Sequence, residues 1–357
     1  MRFIGRFIRR IISFALLVAC IFAILYLLPL TERVDTAGLG GDASWMARIP
    51  DNVRLNEMTI PGTHQSASQF TQLPFFFKCQ GCSIKDQLTA GFRFLDICLA
   101  VEAGDGGARL KCMNRFADCL TAAMPDSPVL YLDEVLAQCY AFLEEHPTET
   151  VLFSVKQEHG SESASDFQRL LFNYILMNPE RWILTESIPT MGETRGKIVL
   201  LRRFQDAAKL GTSAGIPMIW DDQGGGASTT LNTMSYQNST YTLFVQDRYD
   251  YSNDEKWTAF VNGMAIGGRE MGNGSVSLNF LNTNGTFFFG HPHNHSSVLN
   301  SALRNRGENL RGWIVLDFGE PYLARMIYSS NDLLPPEQAI TVLPDSAGIF
   351  LPETAGE

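Results

Sequence analysis

Residues 58–70 read MTIPGTHQSASQF: an apolar run stops at Pro61-Gly62, and one histidine, His64, stands among small polar residues. The pattern predicts a strand over 58–62 that ends by presenting an imidazole at the rim of a fold. Seven further runs follow, at 92–100, 108–113, 150–156, 197–204, 241–247, 276–282 and 312–318. Several are near-continuous apolar stretches rather than strict alternations, as expected of parallel strands buried on both faces. Amphipathic segments at 132–147, 164–178, 254–268 and 297–307 lie between them, with Asp133 or Ser297 placed to cap starts and Pro147 or Gly307 to follow ends. Strand–helix alternation over about 300 residues predicts an α/β fold, a (β/α)8 TIM-type barrel made irregular or incomplete by a missing helix or two. The stretch 207–240 reads as a long loop with no place in that scheme.

A barrel directs attention to the C-terminal ends of its strands, where functional residues gather. His64, Asp96, Lys156, Arg203, Asp247 and Asp317 each stand at or just past the end of a different apolar run. A salt bridge on the rim is the ordinary fate of one such charge. Six together, of both signs, point to a site.

The first thirty residues stand apart. Arg2, Arg6, Arg9 and Arg10 form a basic tail over 1–10, and residues 11–30 carry no charge. Twenty apolar residues in a helix reach about 30 Å, the thickness of a bilayer's hydrocarbon core. The arginines would hold the N-terminus in the cytoplasm. The rival reading is a cleaved signal peptide leading to secretion, but its apolar stretch is shorter, about 7–15 residues, and no small-x-small site precedes TERVDTAG. The expected organisation is a cytoplasmic tail (1–10), a transmembrane signal-anchor (11–30), a linker (31–49), a barrel domain (50–330) and a C-terminal tail (331–357). The barrel would then be lumenal or extracellular.

Two features agree with that placement. Glycosylation sequons occur at Asn238, Asn273, Asn284 and Asn294. Six cysteines (Cys79, Cys82, Cys98, Cys112, Cys119 and Cys139) crowd into one region, an even number that suggests up to three disulfides in an exported domain. Net charge is −10, and the 24 basic residues beyond the tail face 38 acidic ones, so the composition argues against nucleic acid and against a general pull toward anionic lipid.

Six segments, IPGTHQSAS, AGFRFLDI, HPTETVLFSVKQE, RGKIVLLRRF, FVQDRYDYSNDEKW and GWIVLDF, together resemble the catalytic X domain of phosphatidylinositol-specific phospholipase C, most closely the small single-domain bacterial enzymes. The resemblance spans roughly residues 50–330. It implies an incomplete TIM barrel that cleaves the phosphodiester of an inositol lipid or related diester, with the inositol 2-hydroxyl as internal nucleophile. It implies His64 as the general base, Asp317 as the acid that orients or assists it, and Asp96 as a further catalytic carboxylate. Lys156, Arg203 and Asp247 would hold the inositol hydroxyls, and Tyr249 would stack on the sugar ring.

Departures from the family pattern fall inside the site. Gln65 stands where the family has an acid or asparagine after the histidine. Cys98 stands where metal-independent members carry an arginine and calcium-dependent members an acidic ligand. The block LKCMNRF puts Met113 or Cys112 in place of a second catalytic histidine. Cys98 and Cys112 are expected to pair as a disulfide across the old phosphate pocket. Lys111 and Arg115 are candidate substitute cations. No cofactor is required by this reading, and calcium or zinc remains open. Two alternatives stand beside the enzyme: an inactive module that keeps the inositol pocket, and a metal-dependent hydrolase rebuilt around His291, His293 and His295 on an extended segment.

Overall fold

Strand β1 (Ile60–Thr63) lies at the centre of one parallel sheet, flanked by β12 (Trp313–Leu316) and β2 (Phe94–Glu102). The computed structural model describes residues 2–27 and 42–331, apart from 105, 125, 159, 161, 212, 225–233, 238–240, 271–273, 286–290 and 308. Beyond β2 come β5 (Thr150–Gln157), β7 (Lys197–Arg203) and β6 (Trp182–Ile183); beyond β12 come β11 (Ser275–Phe280), β10 (Thr242–Gln246) and β9 (Met234–Gln237). Every pairing on this path is parallel except β9 with β10. Short β8 (Ile216–Pro217) joins the outer edge of β7. Among the described residues no strand pairing closes the ring between the β6 and β8 edge and β9, so the barrel is incomplete.

Helices α3 (Ile84–Thr89), α4 (Leu132–Glu145), α5 (Ala164–Ile175), α7 (Asn253–Glu270), α8 (Pro292–Arg306) and α9 (Pro321–Tyr328) cover the outside, with single turns at α2 (Pro74–Phe77) and α6 (Met191–Thr194). Ser83 and Ser163 start α3 and α5 by accepting the backbone N–H of Asp86 and Asp166. Leu95, Ile97, Leu99, Val151, Phe153, Val155, Ile198 and Leu200 face outward into a core shared with Val135, Phe142, Phe167 and Leu171 of α4 and α5. The alternate residues Phe94, Leu152, Val199 and Leu201 belong to a second core with Ile60, Trp313 and Leu278. Gly62 lets β1 and β2 approach, because a Cβ there would lie 2.8 Å from the Phe94 Cβ.

All eight expected strands exist, but the third is not a barrel stave. Strand β3 (Arg109–Asn114) runs antiparallel to the outer half of β2 and forms a hairpin with β4 (Ala117–Asp118) off the main path. The disulfide expectation is also corrected: all seven cysteines are free thiols. Leu99, not Cys98, stands opposite Cys112, and successive strand residues face opposite sides, so the Cys98 and Cys112 thiols point away from each other. Helix α8 begins five residues before the predicted start, with Pro292 in its first turn, where a missing N–H costs nothing. His293 and His295 are therefore helical, and the expected extended histidine segment does not exist.

Helix α1 spans Arg2–Leu27. Among the described residues no helix is long and apolar enough to cross a membrane, and the expected anchor 11–30 runs on past Leu27 into residues outside the described set. The expected linker and C-terminal tail lie largely outside it too. Of the sequons, Asn238 and Asn273 lie outside it, Asn294 is exposed on α8, and Asn284 is half-buried, its N–H donating to the Tyr249 carbonyl.

Candidate active site

Strand register assembles the site. Cys98, Lys156 and Arg203 are Cα partners across β2, β5 and β7. They lie on the inward face, two residues beyond Asp96, Ser154 and Leu201 and four beyond Phe94, Leu152 and Val199. Each strand thus changes from apolar at the barrel floor to polar at its C-terminal rim. Asp96 lies within a nine-residue strand rather than at its end, because β2 continues past the barrel rim to pair with β3.

His64 and Asp317 meet by the same logic. Thr63 and Leu316 are partners in the parallel β1–β12 pair, so the next residue on each strand lies at the rim side by side. The His64 N–H donates to the Leu316 carbonyl at 2.9 Å, and the His64 Nδ1 lies 2.7 Å from the Asp317 Oδ1. Both strands then turn sharply through left-handed residues, Gln65 at φ 45° and Phe318 at φ 47°. Such non-glycine strain, on the order of 1–3 kcal/mol each, gathers at functional sites. It turns the Gln65 N–H toward the Asp96 Oδ2 at 3.3 Å. Burial pulls the His64 imidazolium down, but the charge and hydrogen bond of Asp317, with the charges of Asp96 and Asp247, outweigh it and raise its pKa above the ordinary histidine value. The imidazole keeps about a fifth of its side chain exposed while Asp317 is 3% exposed, so the base has an open face.

Around this pair the predicted residues converge in three groups. The Arg203 guanidinium donates to the Asp96 Oδ1 at 2.8 Å and lies 3.9 Å over the Trp220 ring, whose Nε1–H donates to the Asp247 Oδ2 at 3.1 Å. The Lys156 Nζ pairs with the Glu158 Oε1 at 3.1 Å. The Tyr249 hydroxyl donates to the Asp222 Oδ1 at 2.5 Å, and Gly224 leaves space for that ring. The hydrogen bond from Tyr249 is the largest cause holding the Asp222 carboxyl below its usual range, and the charges of Lys156 and Arg115 act in the same direction.

The altered positions form contacts of their own. The Gln65 Nε2 donates to the Cys98 Sγ at 3.3 Å. Cys112 is buried in the outer core, away from the site, and Met113 pairs with Asp118 in the β3–β4 hairpin. The residue of that block that reaches toward the histidine is Asn114, whose Nδ2 donates to the Phe77 carbonyl at 2.8 Å and the Cys79 Sγ at 3.5 Å. Lys111 is held by Asp118 at 2.7 Å, whereas the Arg115 guanidinium lies 5.7 Å from the Tyr249 ring centroid, at the mouth.

The three histidines at the start of α8 take different partners, although the His291 and His293 ring centroids stay 6.0 Å apart. His291 stacks on Phe75 with its Nδ1 2.7 Å from the Phe75 carbonyl, His293 packs edge-on to Phe318, and the His295 Nδ1 is 2.8 Å from the Asn253 Oδ1. Among the described residues they form no ligand cluster. Sequence reasoning missed Cys79, Gln80, Trp220 and Asp222. The Gln80 Nε2 donates to the His64 carbonyl at 2.7 Å and the Leu316 carbonyl at 3.0 Å, tying the two strand ends together. Trp220 and Asp222 lie in the stretch that sequence left unplaced. Nothing in their local pattern marks them.

Fold and site define an incomplete TIM-type barrel carrying a histidine–carboxylate pair and two cations at the C-terminal ends of its strands. No family model matches the chain. The 1-phosphatidylinositol phosphodiesterase of Staphylococcus aureus (strain Newman) is 28% identical over 293 residues, covering 77% of this chain and 88% of that protein. The protein of the same name from Listeria monocytogenes is 26% identical over 313 residues, covering 80% and 84%. A solved structure of a variant phosphatidylinositol-specific phospholipase C from S. aureus matches with a TM-score of 0.66 at 23% identity, over 83% of this chain and 98% of that one. That of the L. monocytogenes enzyme matches at 0.60 and 22%, over 82% and 99%. The chain is related to the bacterial phosphatidylinositol-specific phospholipases C over most of its length, as the sequence motifs led one to expect.

Proposed function

We propose that this protein is a phosphodiesterase of phospholipase C type that cleaves an inositol phospholipid or a closely related diester, with His64 as general base. The observation that carries this reading is the 2.7 Å His64–Asp317 pair beside the Cys98–Lys156–Arg203 row. The relatives' names supply the substrate class. Neutral His64 shares its Nδ1 proton with Asp317, which leaves the Nε2 lone pair to take the proton of a sugar hydroxyl. The hydroxyl oxygen then bonds to phosphorus as the bond to the diacylglycerol oxygen breaks. Lys156 and Arg203 offer the positive charge that the Cys98 position lacks, and Asp247 and Tyr249 present the sugar-binding side. Asn114 is no acid, so protonation of the leaving oxygen is the least provided step. We expect turnover slower than with a full acid, by about 10²–10⁴-fold.

The N-terminal segment belongs to the proposal as a signal-anchor, on the strength of the uncharged residues 11–30 behind four arginines. The catalytic domain would then face the lumen or the exterior, close to its lipid. With the cysteines free, disulfides lend no support to that location, which rests on the apolar segment and the sequons.

The test is release of inositol phosphate from phosphatidylinositol vesicles by the full chain and by His64→Ala, with and without calcium. Release by the parent chain and its loss in the variant is the expected result. No release above the variant, with inositol phosphate still bound, would replace the enzyme by a binding module.

A further inference from the structure

A third side chain stands against the His64–Asp317 pair. A ring nitrogen of His64, the Cys79 Sγ and an Asp317 carboxylate oxygen all lie within 4.8 Å of one another. Cys79 and Asp317 are each 3% exposed, and the thiol is hydrogen-bonded to that carboxylate. We propose that these three side chains form a zinc site, and that zinc held there disables His64 as a base. The inhibitory consequence, though not the site itself, rests on the catalytic reading above.

Imidazole, thiolate and carboxylate are the ligand types zinc takes, and three protein ligands leave a fourth position open. Tetrahedral zinc with bonds of about 2.0–2.3 Å sets its ligands roughly 3.3–3.8 Å apart. The 2.7 Å His64–Asp317 contact would open slightly, and any separation near 4.8 Å would close by about an ångström, within reach of side-chain rotation. Charge also balances: a thiolate and a carboxylate cancel Zn²⁺, so a buried ion leaves no uncompensated charge.

The surroundings already hold each ligand in place, as outer-shell partners do in metal sites. The Asn114 Nδ2 donates to the Cys79 Sγ, and the Cys79 N–H donates to the Ser68 Oγ at 3.1 Å. The Phe318 N–H donates to the Cys79 carbonyl at 2.7 Å, and the Asn300 Nδ2 to the Asp317 carbonyl at 3.1 Å. Gln80 fixes the His64 backbone from below. The exposed fifth of the imidazole gives the ion its entrance.

The chemistry of inhibition follows from the two ring nitrogens. In the metal-free site the His64 proton sits on Nδ1, toward Asp317, and Nε2 has the free lone pair. Zinc takes the Nδ1 lone pair, so the ring proton must sit on Nε2, which becomes a donor and can accept nothing. The Cys79 S–H gives its proton to solvent. One proton is released per ion bound, and nothing is oxidised or reduced.

The full chain is titrated with zinc chloride against a chromophoric chelator, and with cobalt(II) to read a thiolate-to-metal charge-transfer band. We expect one tight equivalent, a cobalt–thiolate band, and a shift of the His64 ring ¹⁵N signals to the Nε2–H tautomer. Cys79→Ala should lose the band and at least about 10–100-fold in affinity, the loss that outer-shell changes alone produce. Cys79→Ser serves in its place should the alanine variant unfold. Zinc should suppress inositol phosphate release by the parent chain, a chelator should restore it, and Cys79→Ala should keep its own rate in zinc. Absence of zinc binding, or binding unchanged by the Cys79 variants, overturns the site. Release that zinc leaves untouched overturns the inhibition while the catalytic reading stands. No release from metal-free protein, with the zinc-dependent tautomer shift intact, sinks the catalytic reading and upholds the site.

Discussion

Replacing Asp317 by asparagine changes one charge and almost no volume, and its consequence for His64 can be worked out. The backbone at 317 stays held, because the Asn300 Nδ2 bonds its carbonyl rather than its side chain. With the carboxylate gone, the strongest influence raising the His64 pKa disappears, and the lesser pulls of the Asp96 and Asp247 charges are left against burial, the largest influence of all. The asparagine amide can also donate to Nδ1, which would force the ring proton onto Nε2 and remove the acceptor. Loss of base catalysis of this kind costs about 10²–10⁴-fold in kcat, or about 2.7–5.4 kcal/mol of barrier at 1.36 kcal/mol per tenfold. The assay is inositol phosphate release from phosphatidylinositol vesicles across pH, with an NMR titration of the His64 ring. The acid limb of the rate profile and the ring titration should both move to lower pH in Asp317→Asn. Stability carries a second signature. A raised histidine pKa adds stability that is fully present below the unfolded value of about 6.5 and is lost as pH rises through the folded pKa. The denaturant midpoint of the parent chain, taken relative to the variant, should therefore fall as pH rises through that window. A variant with an unmoved His64 titration and a rate within about threefold of the parent, inside half a tenfold step of barrier, would show that Asp317 does not tune the base.

Two further outcomes follow from the pocket and its support. Gly224→Ala puts a methyl 2.2 Å from the Tyr249 Cζ, so the ring must shift and its bond to Asp222 breaks. Because Tyr249 is assigned to the sugar-binding side, displacing its ring should raise KM with kcat little changed, and an unaltered KM would contradict the role assigned to Tyr249. Lys256 is wholly buried, its Nζ donating to the Gln246 Oε1 and the Arg248 carbonyl, and burial lowers its pKa to about 7 despite Asp247 and Asp317. The unfolded chain then holds the proton that the folded one releases between about 7 and 10.4, so this group makes stability rise with pH there. Urea midpoints at about pH 7 and pH 9 should show that rise in the parent chain and a smaller one in Lys256→Met; equal slopes would refute it.

Sequence reading fared well where a residue's role depends on its own strand. The runs at 150–156 and 197–204 became β5 and β7 almost to the residue, because buried parallel strands need unbroken apolar stretches whatever their neighbours. It failed where a role depends on a partner strand. The run at 108–113 read as one more stave but pairs antiparallel with β2, since the short connection after Glu102 permits only a hairpin. Cys98 and Cys112 looked like partners by strand order, and a register offset of one residue put them on opposite faces. His291, His293 and His295 alternate in sequence, but Pro292 starts a helix there and turns them to different partners.

MTIPGTHQSASQF and its companions determined by themselves that the chain is a barrel of parallel strands with polar residues at their C-terminal rims, because burial on both faces and a change to polarity at the strand end are written locally. Only the tertiary structure decided that His64 faces Asp317, that Lys156 and Arg203 flank Cys98, and that Cys79 stands against the catalytic pair. Those contacts join residues up to 253 positions apart. Their geometry comes from strand register and from loops folding back over the rim, and no local stretch of sequence carries either.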